Sequence, residues 1–252
     1  MSATGSGALG IIAGTGFYAL EPLTDPHEEI VDTAYGPARV VVGAWHGRPA
    51  VFATRHGVDH SVPPHLVNYR AIITALADAG VREILAVNVV GGIGHGPGDL
   101  VVVDDFLDFT KGRPGTFIDG TGPVRHVDVS EPYDERLRGV LALAARASGR
   151  RVTQGGIYAC FEGPRFETRA EIRMARAAGA TVVGMTGVPE VVLAREAGMP
   201  YASLCLVVNP AVGESDEPVT MADIERVIAD GRVRVMEVLD GAVRLLAVSV
   251  SS

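Results

Sequence analysis

Apolar residues along this chain fall into short unbroken runs, separated by stretches with helical spacing. Residues 8–13 form the first run and end on Gly14-Thr15-Gly16, which predicts a buried strand closed by a tight glycine turn. A second run over 49–54 leads straight into Arg55-His56-Gly57. Residues 65–79 then place Leu66, Tyr69, Ile72, Ile73 and Leu76 on one helical face, with Gly80 as the stop. Further strands are predicted at 84–90, interrupted by Asn88 and closed by Gly91-Gly92, and at 100–103, 155–160, 181–185 and 201–208. Helices are predicted at 133–148, from a Thr168/Glu171 capping box to Gly179, at 189–197 with proline at the start, and from Thr220 to about Leu246.

Strands alternating with helices imply an α/β fold, a parallel or mixed sheet covered on both faces, as one domain over 1–252. No repeat or low-complexity linker divides it, and the Gly/Pro/Thr-rich stretch 111–122 is expected to be a lid or a subunit contact. With 47% apolar and 21% charged residues in 252, disorder and coiled coil are excluded. Thirty acidic against 22 basic residues leave a net charge of −8, which argues against nucleic acid, so a bound anion needs a local site. Cys160 and Cys205 lie among apolar neighbours, as reduced core residues do, and every long apolar run is broken short of a membrane span. With no basic residue before Arg39 to make a secretory leader, a cytoplasmic protein without a membrane partner is expected.

In open α/β sheets ligands sit beyond the carboxyl ends of strands, so the polar residues that end the apolar runs belong together. They are Thr15, Arg55, His56, Asn88, Thr186 and Asn209: hydroxyls, a guanidinium, an imidazole and amides, a donor set for a phosphate. Singly each has a plainer reading. Gly14-Thr15-Gly16 is a common turn, Asn88 a bond to a neighbouring loop, Thr186 a strand-end hydroxyl and Asn209 a turn former before Pro210. Arg55 and His56 are costly directly after a buried strand unless they bind something. The glycine turn also admits an NAD-dependent oxidoreductase, but Ala19 stands where the third glycine belongs and no acidic residue ends the run at Val41-Val42. A non-catalytic nucleoside- or phosphate-binding protein is the other rival.

Five segments, read in order, resemble one family: 10–16 (GIIAGTG), 54–57 (TRHG), 67–70 (VNYR), 162–167 (EGPRFE) and 184–190 (GMTGVPE). The chain is identified by them as similar to the trimeric purine nucleoside phosphorylases, in the branch acting on methylthioadenosine and methylthioinosine. The resemblance implies a three-layer α/β fold with a distorted, barrel-like mixed sheet, a homotrimer, and inorganic phosphate as co-substrate with no metal or other cofactor. It implies phosphate ligands at Thr15, Arg55, His56, Thr186 and the backbone around Asn88 and Val89. Met185 matches the residue beneath the ribose, and His126 a histidine that the adjoining subunit lends to the 5′ side of the sugar.

The departures from the methylthioadenosine pattern concern the base. Where those enzymes carry Asp-x-Asp this chain has Asn209-Pro210-Ala211, and after the Gly-Pro-Arg-Phe motif, beside Phe166, it has Glu167 in place of serine. Both resemble the 6-oxopurine enzymes. Hypoxanthine and guanine present a donor at N1 and an acceptor at O6, which suits a carboxylate and an amide NH₂, whereas adenine reverses both. The implied reaction is reversible phosphorolysis of 6-oxopurine nucleosides (methylthioinosine, inosine, guanosine), with Asn209 and His56 in catalytic roles and a methylthioadenosine phosphorylase as the alternative.

Overall fold

The computed structural model describes residues 7–57, 59–122, 125–216 and 220–248. In chain order its first half contains β1 Ala8–Ala13, β2 Thr24–Thr33, β3 Gly36–Trp45, β4 Arg48–Thr54, α1 Tyr69–Asp78, β5 Val81–Gly92, β6 Leu100–Val102 and β7 Asp105–Phe109. There follow α2 Glu135–Ala147, β8 Thr153–Gln154, β9 Ile157–Phe161, α3 Arg169–Ala177, β10 Ala180–Gly184, α4 Gly187–Glu196, β11 Tyr201–Pro210 and α5 Met221–Val248.

The apolar runs are continuous because their strands are covered on both faces. On β1, Leu9, Ile11 and Ala13 pack with α2 and α5, while Ile12 packs with α1 and α4, giving helix, sheet and helix layers. A smaller cluster joins Ile172 and Ala175 of α3 to β9 and β10. Cys160 and Cys205 are free thiols within the first core, and burial pushes both up to about 12.

The strands form one mixed sheet that branches at β5. β5 pairs in parallel with β1 and with β11; beyond the reach of β1, Gly91 and Gly92 pair antiparallel with Val183 and Val182 of β10. β1 also pairs in parallel with β4, so β1, β4, β5 and β11 end at the same edge, and β10 turns back onto it. This branching is the barrel-like distortion that the resemblance implies.

Several features differ from the periodicity reading, among them β7, a strand where none is predicted. The β2–β3 hairpin gave no signal in its first strand because β2 is an exposed edge with Pro26, His27, Glu28 and Glu29 in it. Residues 64–66 form a separate 3-10 turn with Leu66 exposed; Asn68 caps α1 by accepting from the Ala71 amide, so the helix starts at Tyr69. Finally, Gly14-Thr15-Gly16 leads through a loop into β2, not into a helix. The strand–turn–helix unit that seats a dinucleotide pyrophosphate on a helix N-terminus is therefore missing there, which removes the oxidoreductase reading. The capping box at Thr168 and Glu171 is formed in both directions, as the spacing predicts.

Candidate active site

The strand ends open into one cavity of about 510 Å³, within the range for small-molecule sites. Its wall includes Thr15, Arg55, His56, Val89, Phe166, Glu167, Met185, Thr186, Asn209 and Ala211. Residues separated by nearly 200 positions are thus gathered by parallel strands ending at one edge.

Thr15, Arg55, His56 and Thr186 of the expected phosphate set all line this cavity. Gly16 adopts a left-handed φ of 81°, and a Cβ on it would strike Ile228 of α5, so only glycine lets the turn carrying Thr15 pack there. Arg55 and His56 directly follow β4, where the Arg55 amide donates to the Ala13 carbonyl and ties the two strand ends together. Burial discourages the Arg55 charge, but Glu190 overrides it and raises the guanidinium's pKa. Nε donates to Glu190 Oε2 at 2.6 Å, Nη2 to Oε1 at 2.7 Å and Nη1 to the Val87 carbonyl at 2.7 Å. One N–H on each terminal nitrogen is left for an anion. Tyr201 steadies the carboxylate, its hydroxyl donating to Oε1 at 2.7 Å.

His56 Nδ1 donates to the Val62 carbonyl at 2.8 Å, the tautomer this partner requires, which leaves Nε2 as an acceptor. Burial lowers its pKa to about 4, with the Arg55 and His60 charges acting in the same direction, so the ring is neutral at neutral pH. The His60 ring stacks on it at 5.0 Å.

Thr186 and Asn88 divide labour. Asn88 Nδ2 donates to Ser203 Oγ at 2.8 Å and its Oδ1 accepts from Thr186 Oγ1 at 3.2 Å. The buried Asn88 side chain stands behind the wall and orients Thr186, while Val89, Val90 and Gly91 of β5 line the cavity. The Tyr158 hydroxyl accepts from the Thr186 and Gly187 amides at 3.4 and 3.3 Å, fixing the same turn.

Glu167 and Asn209 line the same cavity. Glu167 is buried, burial raises its pKa, and its Oε1 has no partner. A buried carboxylate oxygen left open in a cavity wall is an acceptor awaiting a ligand donor. Asn209, at the end of β11, donates from Nδ2 to the Pro210 carbonyl at 2.7 Å and keeps a second N–H. Gly163, with φ of 67°, lets the loop to Glu167 pass against the Met185 sulfur, which a Cβ would meet at 2.7 Å. Phe166, half-exposed, and Ala211 line it as well. His126 is exposed and outside the cavity of its own chain.

Sequence reasoning gave no role to Glu190, Tyr201, Ser203, Tyr158 or Arg113, all of which hold the wall in place. A signal existed for Glu190, an acid inside the apolar segment 188–194 that had to be paired if buried. Tyr158 and Tyr201 read as ordinary core aromatics.

Residues 8–244 match the model of the Phosphorylase superfamily. A Methanothermobacter thermautotrophicus protein named probable S-methyl-5′-thioinosine phosphorylase is 46% identical over 94% of this chain and 83% of its own length. The 6-oxopurine nucleoside phosphorylase of Pyrococcus furiosus is 41% identical over 94% of this chain and 92% of its own. The S-methyl-5′-thioadenosine phosphorylase of Thermofilum pendens is 44% identical over 92% and 89%. Among solved structures, the Schistosoma mansoni methylthioadenosine phosphorylase with adenine superposes with a TM-score of 0.90 at 34% identity, over 96% of this chain and 92% of its own.

Proposed function

We propose, from the premise that the chain belongs to the phosphorylase superfamily, that it cleaves 6-oxopurine nucleosides reversibly with inorganic phosphate, releasing the free purine and a ribose 1-phosphate. Overall likeness does not choose the base, since relatives of similar identity carry names from both sides of the 6-oxo and 6-amino divide. The carrying observation is the unpartnered Glu167 carboxylate oxygen, buried in the same cavity as Thr15, the Arg55 guanidinium, the Thr186 hydroxyl and the His56 Nε2, which accepts from a protonated phosphate oxygen.

Phosphate sits among those four side chains. Glu190 balances the Arg55 charge and His56 is neutral, so the anion keeps its own charge beside the sugar instead of surrendering it to the protein. One phosphate oxygen attacks C1′ as the bond from C1′ to the base nitrogen breaks and its electron pair leaves with the purine. Positive charge develops on the sugar between attack and departure, where the phosphate stabilises it. Asn209 donates to O6 or N7 as negative charge grows on the base, and Glu167 accepts from N1–H. Adenine would set its N1 lone pair against the carboxylate.

Met185 lies under the ribose, and the apolar Met221 and Ile224 line the same cavity, a surface that suits a 5′-methylthio group. A homotrimer in which a neighbouring copy lends His126 to the 5′ side accounts for a histidine that its own chain leaves in solvent. No helix among the described residues is long and apolar enough to cross a membrane, and the reading places the enzyme in the cytoplasm as a catalyst of purine salvage.

Incubation with inosine or methylthioinosine tests the reaction class. Base release that requires phosphate, with ribose 1-phosphate or its 5-methylthio analogue as co-product, is the expected result. Release of free sugar without phosphate would make it a nucleosidase, and binding without turnover a carrier.

A further inference from the structure

We propose that Arg113 is a positioning residue that holds the nucleoside side of the site together, and that the 111–122 stretch is a fixed strap instead of the lid its composition suggests. The inference rests on the phosphorylase reading. Arg113 is an almost fully enclosed cation, its side chain 1% exposed. Nη1 faces the Met185 carbonyl at 2.6 Å, the Val188 carbonyl at 3.0 Å and the Tyr69 hydroxyl at 3.2 Å. Nη2 donates to the Glu162 carbonyl at 2.5 Å and the Phe161 carbonyl at 3.2 Å, and Nε lies 3.3 Å from Glu162 Oε2.

Three of the four carbonyls, of Phe161, Glu162 and Met185, belong to two neighbouring strand ends, and the fourth, of Val188, to the first turn of α4. β9 and β10 pair in parallel as far as Cys160 and Gly184, and beyond that register the ladder stops. Past β9 the chain runs to Phe166 and Glu167; past β10 it delivers Met185 and Thr186. These carbonyls lie past the β9–β10 ladder, and one guanidinium supplies donors to both segments. Its rigid fork thereby fixes the separation between the residues that face the base and the residue beneath the sugar. A lysine at this position has a single nitrogen and cannot span both strand ends.

The strap is tied down elsewhere as well. The Phe117 amide donates to Glu196 Oε2 at 2.7 Å, the Phe117 ring packs on Tyr35 at 5.4 Å, and the Lys111 amide donates to Glu162 Oε2 at 2.9 Å. These bonds reach α4, the β2–β3 turn and the β9 end, all parts of the scaffold. The phosphate-side residues Arg55 and His56 are held by Glu190, Val87 and Val62, none of which Arg113 touches, and Thr186, next to Met185, is held besides by Asn88 and Tyr158. Loss of Arg113 therefore falls mainly on the nucleoside.

The test is steady-state kinetics on Arg113→Ala and Arg113→Lys, with melting and circular dichroism as folding controls. The expected result is a fall of about 10²-fold in kcat/KM for the nucleoside, with a much smaller rise in KM for phosphate, and partial retention in Arg113→Lys. Added guanidinium at non-denaturing concentration restores nucleoside turnover in Arg113→Ala and not in the wild type. Folded Arg113→Ala with wild-type nucleoside kinetics would overturn the proposal. So would equal losses toward both substrates without guanidinium rescue, and so would failure of both variants to fold, which assigns Arg113 to the fold. A wild-type protein inactive with phosphate would instead refute the phosphorylase reading.

Discussion

Arg55 and Glu190 meet through two parallel hydrogen bonds of 2.6 and 2.7 Å, with side chains 1% and 0% exposed. The guanidinium that faces the anion is thus already neutralised from behind. Removing the carboxylate leaves a buried cation with no counter-charge, which typically costs about 3–5 kcal/mol. Glu190→Ala should lose that much in urea unfolding, and Arg55→Met combined with Glu190→Leu should recover most of it while losing phosphate saturation. A Glu190→Ala protein as stable as the wild type would remove the pair from the account.

His56 gives the protein a defined response to acid. Its folded pKa is about 4, against 6.5 for an ordinary histidine, chiefly because burial disfavours the charge. Between those two values the unfolded chain takes up a proton that the folded one refuses, so stability falls as pH drops from about 6.5 to about 4, by up to roughly 3 kcal/mol. His56→Asn should flatten that part of the profile in urea titrations run across the window. An unchanged slope contradicts the assignment.

Asn88 and Thr186 should be separable from the nucleoside side. Asn88→Leu removes the acceptor that orients the Thr186 hydroxyl and leaves Ser203 without its donor. The expected outcome is a raised KM for phosphate with little change in KM for the nucleoside, and Ser203→Ala should show a weaker form of the same split. Equal effects on both substrates would mean that Asn88 supports the whole cavity.

Asn209 and Glu167 act on the base. Asn209→Ala should lower kcat by about 10²- to 10³-fold, with KM for phosphate far less affected; an unchanged kcat takes Asn209 out of the mechanism. Glu167→Ser combined with Asn209→Asp should move preference toward 6-aminopurines, with Ala211→Asp added if the second carboxylate of the adenine pattern is needed. If the triple variant folds and still rejects methylthioadenosine, base choice lies elsewhere in the cavity.

Much of this architecture is legible in the chain because its strands are buried on both faces and so read as apolar runs ending in polar residues. Thr15, Arg55, His56, Thr186 and Asn209 stand out for that reason. The supporting groups do not. Glu190 and Ser203 sit within apolar segments, and Arg113 within a loop of turn-forming composition, and their contacts with Arg55, Asn88 and Tyr69, 135, 115 and 44 positions away, are encoded by no local period. β2 escaped notice because an exposed edge strand needs no apolar face. Asn88 stands out as a polar break in an apolar run, but only its bonds show that it faces Thr186 from behind the wall.

The most direct measurement is the ratio of kcat/KM for methylthioinosine to that for methylthioadenosine, with phosphate saturating. A buried carboxylate that requires a donor at N1 predicts a ratio of about 10⁴ or more in favour of the 6-oxo substrate. A ratio near one, or a preference for methylthioadenosine, would contradict the reading of Glu167 and with it the proposed choice of base.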